Sequence, residues 1–308
     1  MINNKRCVIL GGTGFVGRAL ASELARHGYS IVVPTRNRER ARRLAVIPQV
    51  RLVTADVHDP AALEILFRDV EVVINLVGIL NETGHHGGKG FYVAHEALTR
   101  SVLAAAQSAG VTRLLQMSAL KANSKKGPSD YLKSKGLAED AIAAVPTTDL
   151  AWTIFQPSVI FGAGDSFINR FASLLKLSPV MPLARPNARF APVYVGDVCK
   201  AFRIALENHD TIGQRYQLCG PRVYSLRELV QYVQNQLNLR RWIIGLPDSV
   251  AKVQARIFDF VPGKPLSTDN LRSLMVHSIC DQDGLAALGI EATSMETIVP
   301  GYLGSGSN

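Results

Sequence analysis

The chain has 308 residues, 47% of them apolar and 19% charged, and carries a formal net charge of +9. That composition suits one globular protein with a large core and excludes collagen-like and disordered classes. No uncharged apolar run approaches the roughly 18 residues that a spanning helix needs, and "MINNKRCVILGG" enters a strand without a cleavage region, so a soluble, cytoplasmic protein is expected. Cys7, Cys199, Cys219 and Cys280 are scattered, with no CxxC pair, and read as buried thiols rather than a zinc site or a disulfide framework. The positive charge invites a nucleic-acid reading. However, the cations are dispersed outside Arg36 to Arg43 and lack interleaved aromatics, which favours an anionic small ligand.

Taken in order, apolar β-branched runs at 6–10, 30–34, 50–55, 71–78, 112–118 and 150–156 alternate with helical periodicity at 16–27, 38–44, 60–67, 91–109 and 130–144. Strands apolar along their length, alternating with helices, predict an α/β doubly wound parallel sheet of the Rossmann kind. After Pro157 the loops lengthen. A helix from Gly196, a strand "RYQLC" and a helix opened by the capping box Ser225 to Glu228 follow. The expected division is a dinucleotide-binding domain over 1–156 and a smaller C-terminal substrate or partner lobe over 157–302. Residues 190–220 are expected to return to the sheet, and 303–308 to form a tail.

"GGTGFVG" follows the first strand directly and opens a helix, the context in which backbone N–H groups cradle a pyrophosphate. Gly11, Gly12, Thr13, Gly14, Phe15, Val16 and Gly17 are therefore expected to bind cofactor. Where an NAD site ends its second strand in an acid, this chain has "VPTRNR". A guanidinium cannot accept bonds from ribose hydroxyls but binds a 2′-phosphate through two charge-assisted bonds, so NADP(H) is favoured over NAD(H), with Arg36 as main partner and Arg38 or Arg40 assisting. Arg42 and Arg43 are assigned to the outer face of a surface helix. In "ADVHD", Asp56 and Val57 are placed at the adenine, and Asp59 as a helix cap. Val77 and Gly78 of "NLVGIL" are placed against the cofactor backbone. The cluster "GHHGGKG" lacks the spacing of a triphosphate loop, and His85 and His86 lack partners for a metal.

Tyr131 and Lys135 lie four apart on one helix face. A cation beside the phenol would lower its pKa and make it an acid–base group, with Lys135 also holding the nicotinamide ribose. Together, "GGTGFVG", "ADVHD", "NLVGIL", Tyr131 with Lys135, and "QPSVIFG" resemble the short-chain dehydrogenase/reductase superfamily in its extended, epimerase-like form. The chain is similar to an atypical branch that includes the NADPH-binding accessory subunit of mitochondrial complex I. The resemblance implies that Tyr131 and Lys135 are the catalytic pair and that Pro157 and Ser158 line the cofactor near its nicotinamide. It also implies a second donor after the fifth strand, where Ser118 stands one place early before Ala119, and a helix asparagine, where this chain has His95.

Two functions fit. One is an NADP(H)-dependent oxidoreductase or epimerase-like enzyme acting on a carbonyl or hydroxyl carbon of a nucleotide sugar, lipid or quinone-related compound. The other is a non-catalytic cofactor-holding protein with a respiratory-chain partner. Asp197 reads as a helix cap. The stretch "SVAKVQARIFDFVPGKPL" reads as a core-packing helix ending at Pro262, with peripheral membrane contact left open as the alternative.

Overall fold

The structure, a computed structural model, describes residues 5–82, 87–261 and 266–303. Its centre is a parallel seven-stranded sheet. The first half contributes β1 (Arg6–Leu10), α1 (Phe15–Arg26), β2 (Ser30–Thr35), β3 (Val50–Thr54), α2 (Pro60–Leu66) and β4 (Val72–Asn75). Then come α3 (Lys89–Tyr92), a π turn over Val93–Ala97, α4 (Leu98–Ala109), β5 (Arg113–Met117), α5 (Asp130–Ala143) and β6 (Ala151–Pro157). The second half runs through β7 (Ile160–Phe161), α6 (Ile168–Leu177), β8 (Val180–Ala184), β9 (Arg189–Phe190), β10 (Val193–Tyr194), α7 (Val195–Glu207), β11 (Gln214–Leu218), β12 (Tyr224–Ser225), α8 (Leu226–Gln236), β13 (Trp242–Leu246), α9 (Asp248–Phe258) and α10 (Thr268–Ser273).

The sheet order is β11-β6-β5-β4-β1-β2-β3, so the winding reverses between β1 and β4. The sheet is covered on both faces, which is why the sequence runs show no polar alternation. On one face Leu20, Leu24, Phe155 and Phe202 join α1 and α7 to the sheet. On the other, Leu63, Phe67, Val102 and Ile142 anchor α2, α4 and α5. β11 pairs in parallel with β6 from Gln214 opposite Thr153 to Leu218 opposite Pro157, so the chain comes back to extend the sheet. A separate core of Phe161, Leu175, Met181, Leu229 and Val233 holds the C-terminal lobe.

Four sequence expectations are corrected. The helix expected over 38–44 is a single 3₁₀ turn at Glu39–Ala41. Four arginines repel along it and only Ala41 and Leu44 are buried, too little to offset helix nucleation. Asp197 is not the cap of α7, which starts from Tyr194; it is fully buried and accepts bonds from Thr293 N at 2.7 Å and Thr293 Oγ1 at 3.1 Å. Cys219 and Cys280 form a disulfide, because the end of β11 and the segment around Ser278 meet across 61 residues of sequence that spacing alone does not relate. Finally, β8 and β13 pair in parallel outside the main sheet, a ribbon that the proline-rich sequence concealed. Cys7 and Cys199 are buried free thiols. His85, His86, the expected helix end at Pro262, and the tail from Gly304 lie outside the described residues.

Asp197→Ala would leave the Thr293 amide without an acceptor and is expected to lower unfolding free energy by about 1–3 kcal/mol in urea titration.

Candidate functional site

The crevice at the β1/β4 reversal is built first from close approach of backbone. Gly11 has φ +75°, and a Cβ there would sit 3.1 Å from Val77 N. At Gly17 a Cβ would collide with Gly11 O. The start of α1 therefore lies directly on the turn. Gly14 caps it in extended conformation with no side chain spent on the helix amides, and the first turn holds no acid. The amides of Phe15, Val16 and Gly17 thus face the crevice without intrahelical acceptors, an arrangement that fits a diphosphate. Arg18, which the sequence reading missed, donates from Nη1 to Thr13 O at 2.8 Å and braces the turn. Its only sequence signal is its place after the last glycine.

At the end of β2, Thr35 is buried and its hydroxyl closes a local turn on Asn37. Arg36 and Arg38 then stand exposed, and among the described residues neither has a carboxylate partner. Asp56 follows the neighbouring β3. One oxygen accepts from His58 N at 3.1 Å, at the crevice edge. Val57 packs against the core below it. Asp59 caps α2 by accepting from Ala61 N, as its sequence predicts.

Across the reversal, Lys135 is buried, and its ammonium donates to Met117 O at 3.1 Å and Val77 O at 3.3 Å. A Cβ on Gly78 would lie 3.1 Å from Lys135 Nζ, so glycine keeps that ammonium open to the crevice. The π turn brings His95 in beside it. Ile79 N donates to His95 Nε2 at 3.1 Å, which leaves Nδ1 protonated to donate to Ser134 Oγ at 2.8 Å. Ser134 in turn donates to Tyr131 O. Burial, reinforced by the charge on Lys135, pushes His95 down to about 2, so the imidazole is neutral. It links the Ile79 amide to α5 through Ser134.

Tyr131 packs edge-on against His95 and Phe91, at ring separations of 5.5 and 6.1 Å. Its phenol is not activated as the sequence suggested. Burial, and then the Asp269 carboxylate, push it up to about 12, while Lys135 gives two of its three donors to carbonyl oxygens. Burial lowers Lys135 itself to about 8, against a smaller opposing pull from Glu139. Ser118, expected as a second donor, is buried and gives its hydroxyl to Glu139, which also accepts from Gln156 and pairs with Arg215 at 3.3 Å. Pro157, one residue past the expected strand end, closes β6, and the Ser158 hydroxyl donates to Ser278 O at 2.8 Å, tying the second lobe to this strand.

A second missed residue is Asp269, on α10 of the C-terminal lobe. Its carboxylate accepts from Asp130 N at 2.7 Å and Tyr131 N at 3.2 Å, capping α5 from outside. Asn270 reaches Leu80 O and Arg272 reaches Asp130, so α10 lies over Tyr131. Nothing in the local sequence relates positions 131 and 269.

The family model of the NAD dependent epimerase/dehydratase family matches residues 7–219, and the chain belongs to that family, whose members bind a nicotinamide dinucleotide. The chain is 31% identical over 265 residues to NADH dehydrogenase [ubiquinone] 1 alpha subcomplex subunit 9, mitochondrial, of Arabidopsis thaliana. That match covers 83% of this chain and 64% of the plant protein, so the chain spans less than two thirds of that relative's length. It is 33% identical over 247 residues to ceramide reductase of Caulobacter vibrioides, covering 78% of this chain and 73% of that one. In fold it superposes on UDP-glucose-4-epimerase from Stenotrophomonas maltophila, solved with bound NAD, with a TM-score of 0.76 at 17% identity, over 98% of this chain and 97% of that one.

The folded chain releases the Lys135 proton near pH 8, whereas an unfolded lysine holds it to about 10.5, so this group adds stability as pH rises between those values and loses it as pH falls through 8. Wild type should gain on the order of 2 kcal/mol over Lys135→Met across that window in chemical unfolding, and parallel pH profiles would contradict the burial argument.

Proposed function

We propose that the protein is an NADP(H)-dependent reductase that acts on a carbonyl carbon of a lipid-like substrate. The observation that carries the coenzyme choice is the pair Arg36 and Arg38, exposed at the end of β2 with no carboxylate partner among the described residues. Planar guanidinium groups so placed suit the dianionic 2′-phosphate and offer nothing to a free ribose diol. Gly11 to Gly17 hold the diphosphate, Asp56 and Val57 the adenine, Val77, Gly78 and Pro157 the nicotinamide half, and Lys135 the ribose beside it. Residues 1–156 form the coenzyme domain in this reading, and the lobe of 157–302, with 190–220 returned to the sheet, receives the substrate.

The state of Tyr131 supports a role as proton donor in the reducing direction. A phenol held near 12 is fully protonated at neutral pH, and a protonated phenol suits donation to a carbonyl oxygen as negative charge develops there. A nicotinamide dinucleotide held by these residues would supply the hydride to the carbonyl carbon. As the C=O π pair moves to oxygen, Tyr131 gives up its proton to form the alcohol, and Lys135 lies one helical turn along to stabilise the phenolate left behind. His95 and Ser134 fix the orientation of α5, and Glu139 anchors the far end through Ser118. The reductase named among the relatives supports this chemistry.

One observation favours a second reading, in which the protein holds NADP(H) as a structural element with a respiratory-chain partner. α10 packs on the start of α5, where Asp269 accepts from the Asp130 and Tyr131 amides, so the C-terminal lobe is tied firmly to the crevice. A ligand at 100 times its dissociation constant adds about 2.7 kcal/mol to stability without turnover. Similarity to the complex I subunit supports this alternative.

Arg36→Ala should weaken NADPH binding about 10- to 100-fold in calorimetry while leaving NADH affinity unchanged, as loss of a charge-assisted pair requires. Tyr131→Phe should lower the rate of NADPH-dependent carbonyl reduction at least about 100-fold with coenzyme affinity retained. Equal rates for Tyr131→Phe and wild type would favour the structural role.

A further inference from the structure

The structure corrects the core-packing reading of the stretch after Ser249. α9 docks on the protein through Ala251 and Ala255, which pack against Ala184, Leu271 and Leu246. Its large residues point the other way: Val250, Val253 and Ile257 recur at helical spacing with 48%, 57% and 58% of their surface exposed. A helix stabilised only by its own fold would place small residues outward and large ones inward. This one is inverted.

The ribbon beneath continues the same surface. Along β8 and β13, Met181, Leu183 and Ile243 face the lobe core, whereas Ala184 and Leu246 face α9. Strand alternation then puts Val180 and Pro182, paired with Trp242 and Ile244, on the α9 side but beyond its reach. They are exposed, Trp242 to 76%, and Leu177 just before them to 85%. The result is a contiguous apolar platform larger than the scattered exposed residues of an ordinary surface.

The exposed charges beside it are mainly cationic. On a helical wheel, Lys252 and Arg256 lie along one edge of the Val250, Val253, Ile257 stripe, and both are exposed. The two acids of this segment are already engaged by the protein: Asp248 pairs with Arg185 at 2.8 Å and Asp259 accepts from Thr268 N and Oγ1. No acidic residue occurs from Lys176 to Arg189 or from Arg240 to Pro247, and Lys176 and Arg240 are exposed at the same end of the ribbon. An apolar stripe with a cationic border and an exposed indole is the profile of a helix that lies in the headgroup region.

We infer that α9 and the β8/β13 ribbon form a platform that seats the protein peripherally on an anionic phospholipid bilayer. Among the described residues no helix is long and apolar enough to cross a membrane, so the platform lies on the surface. The inference does not depend on the coenzyme reading. It does have a bearing on the crevice, because α10, which covers Tyr131, packs directly against α9 through Leu271.

The test uses the full chain with sedimented vesicles of phosphatidylcholine, alone or mixed with phosphatidylglycerol. Wild type should co-sediment with the mixed vesicles and leave the neutral ones at least about tenfold less loaded. Its tryptophan emission should shift to the blue, and Trp242→Phe should abolish that shift, since Trp152 is already buried. Val253→Glu combined with Ile257→Glu, at exposed positions that leave the core untouched, should prevent sedimentation. Lys252→Gln with Arg256→Gln should weaken it on the order of tenfold. Circular dichroism and NADPH binding identical to wild type would show that these variants remain folded. The inference is overturned if wild type fails to sediment with the mixed vesicles, if the paired glutamates sediment as well as wild type, or if light scattering shows a dimer that those glutamates dissociate.

Discussion

The contact between Gly17 and the carbonyl of Gly11 is the constraint on which the rest of the molecule depends. It allows α1 to begin against the end of β1, so that the positive end of the helix opens onto the reversal of the sheet. With any side chain at position 17, the helix would be displaced and its free amides would no longer converge. Everything assigned to the crevice is measured from this point. Arg36 and Asp56 stand on one side, at the ends of adjacent strands, and Gly78 and Lys135 on the other.

The opposite side of the crevice is governed by burial. Lys135 is desolvated but retains two carbonyl oxygens as acceptors, so its pKa falls without the ammonium being abandoned. The same environment forces His95 into one neutral tautomer, and that tautomer is fixed by the Ile79 amide. Tyr131 is held protonated by the same desolvation and by Asp269. Burial is the largest cause of the shift in all three titratable groups. The cover formed by α10 joins this site to the C-terminal lobe through a carboxylate on backbone amides, a contact that movement of either helix would break.

Local features of the sequence carried much of this. The glycine spacing, the unbroken apolar strands and the capping box at Ser225 are short-range signals with direct physical causes, and the doubly wound sheet followed from them. Tyr131 and Lys135 were legible for the same reason, being one helical turn apart. What escaped was tertiary. The phenol's pKa was misjudged because sequence shows that a cation is near but not where its protons go. Ser118 depended on which partner takes its hydroxyl, Asp269 and the Cys219–Cys280 disulfide on chain segments brought together from afar, and α9 on which of its faces meets the protein. The arginine run at Arg38 to Arg43 misled in the other direction, since helical spacing without a buried face does not make a helix.

On the proposed reading, the apolar platform would bring a membrane-borne substrate to a protein that holds a soluble coenzyme. The proposed function itself rests on the crevice selecting a phosphorylated dinucleotide. Isothermal titration of the intact wild-type protein with NADPH and, separately, NADH measures this most directly. Binding of NADPH at least about tenfold tighter than NADH is the expected result. Equal affinities, tighter NADH, or no heat with either would contradict it.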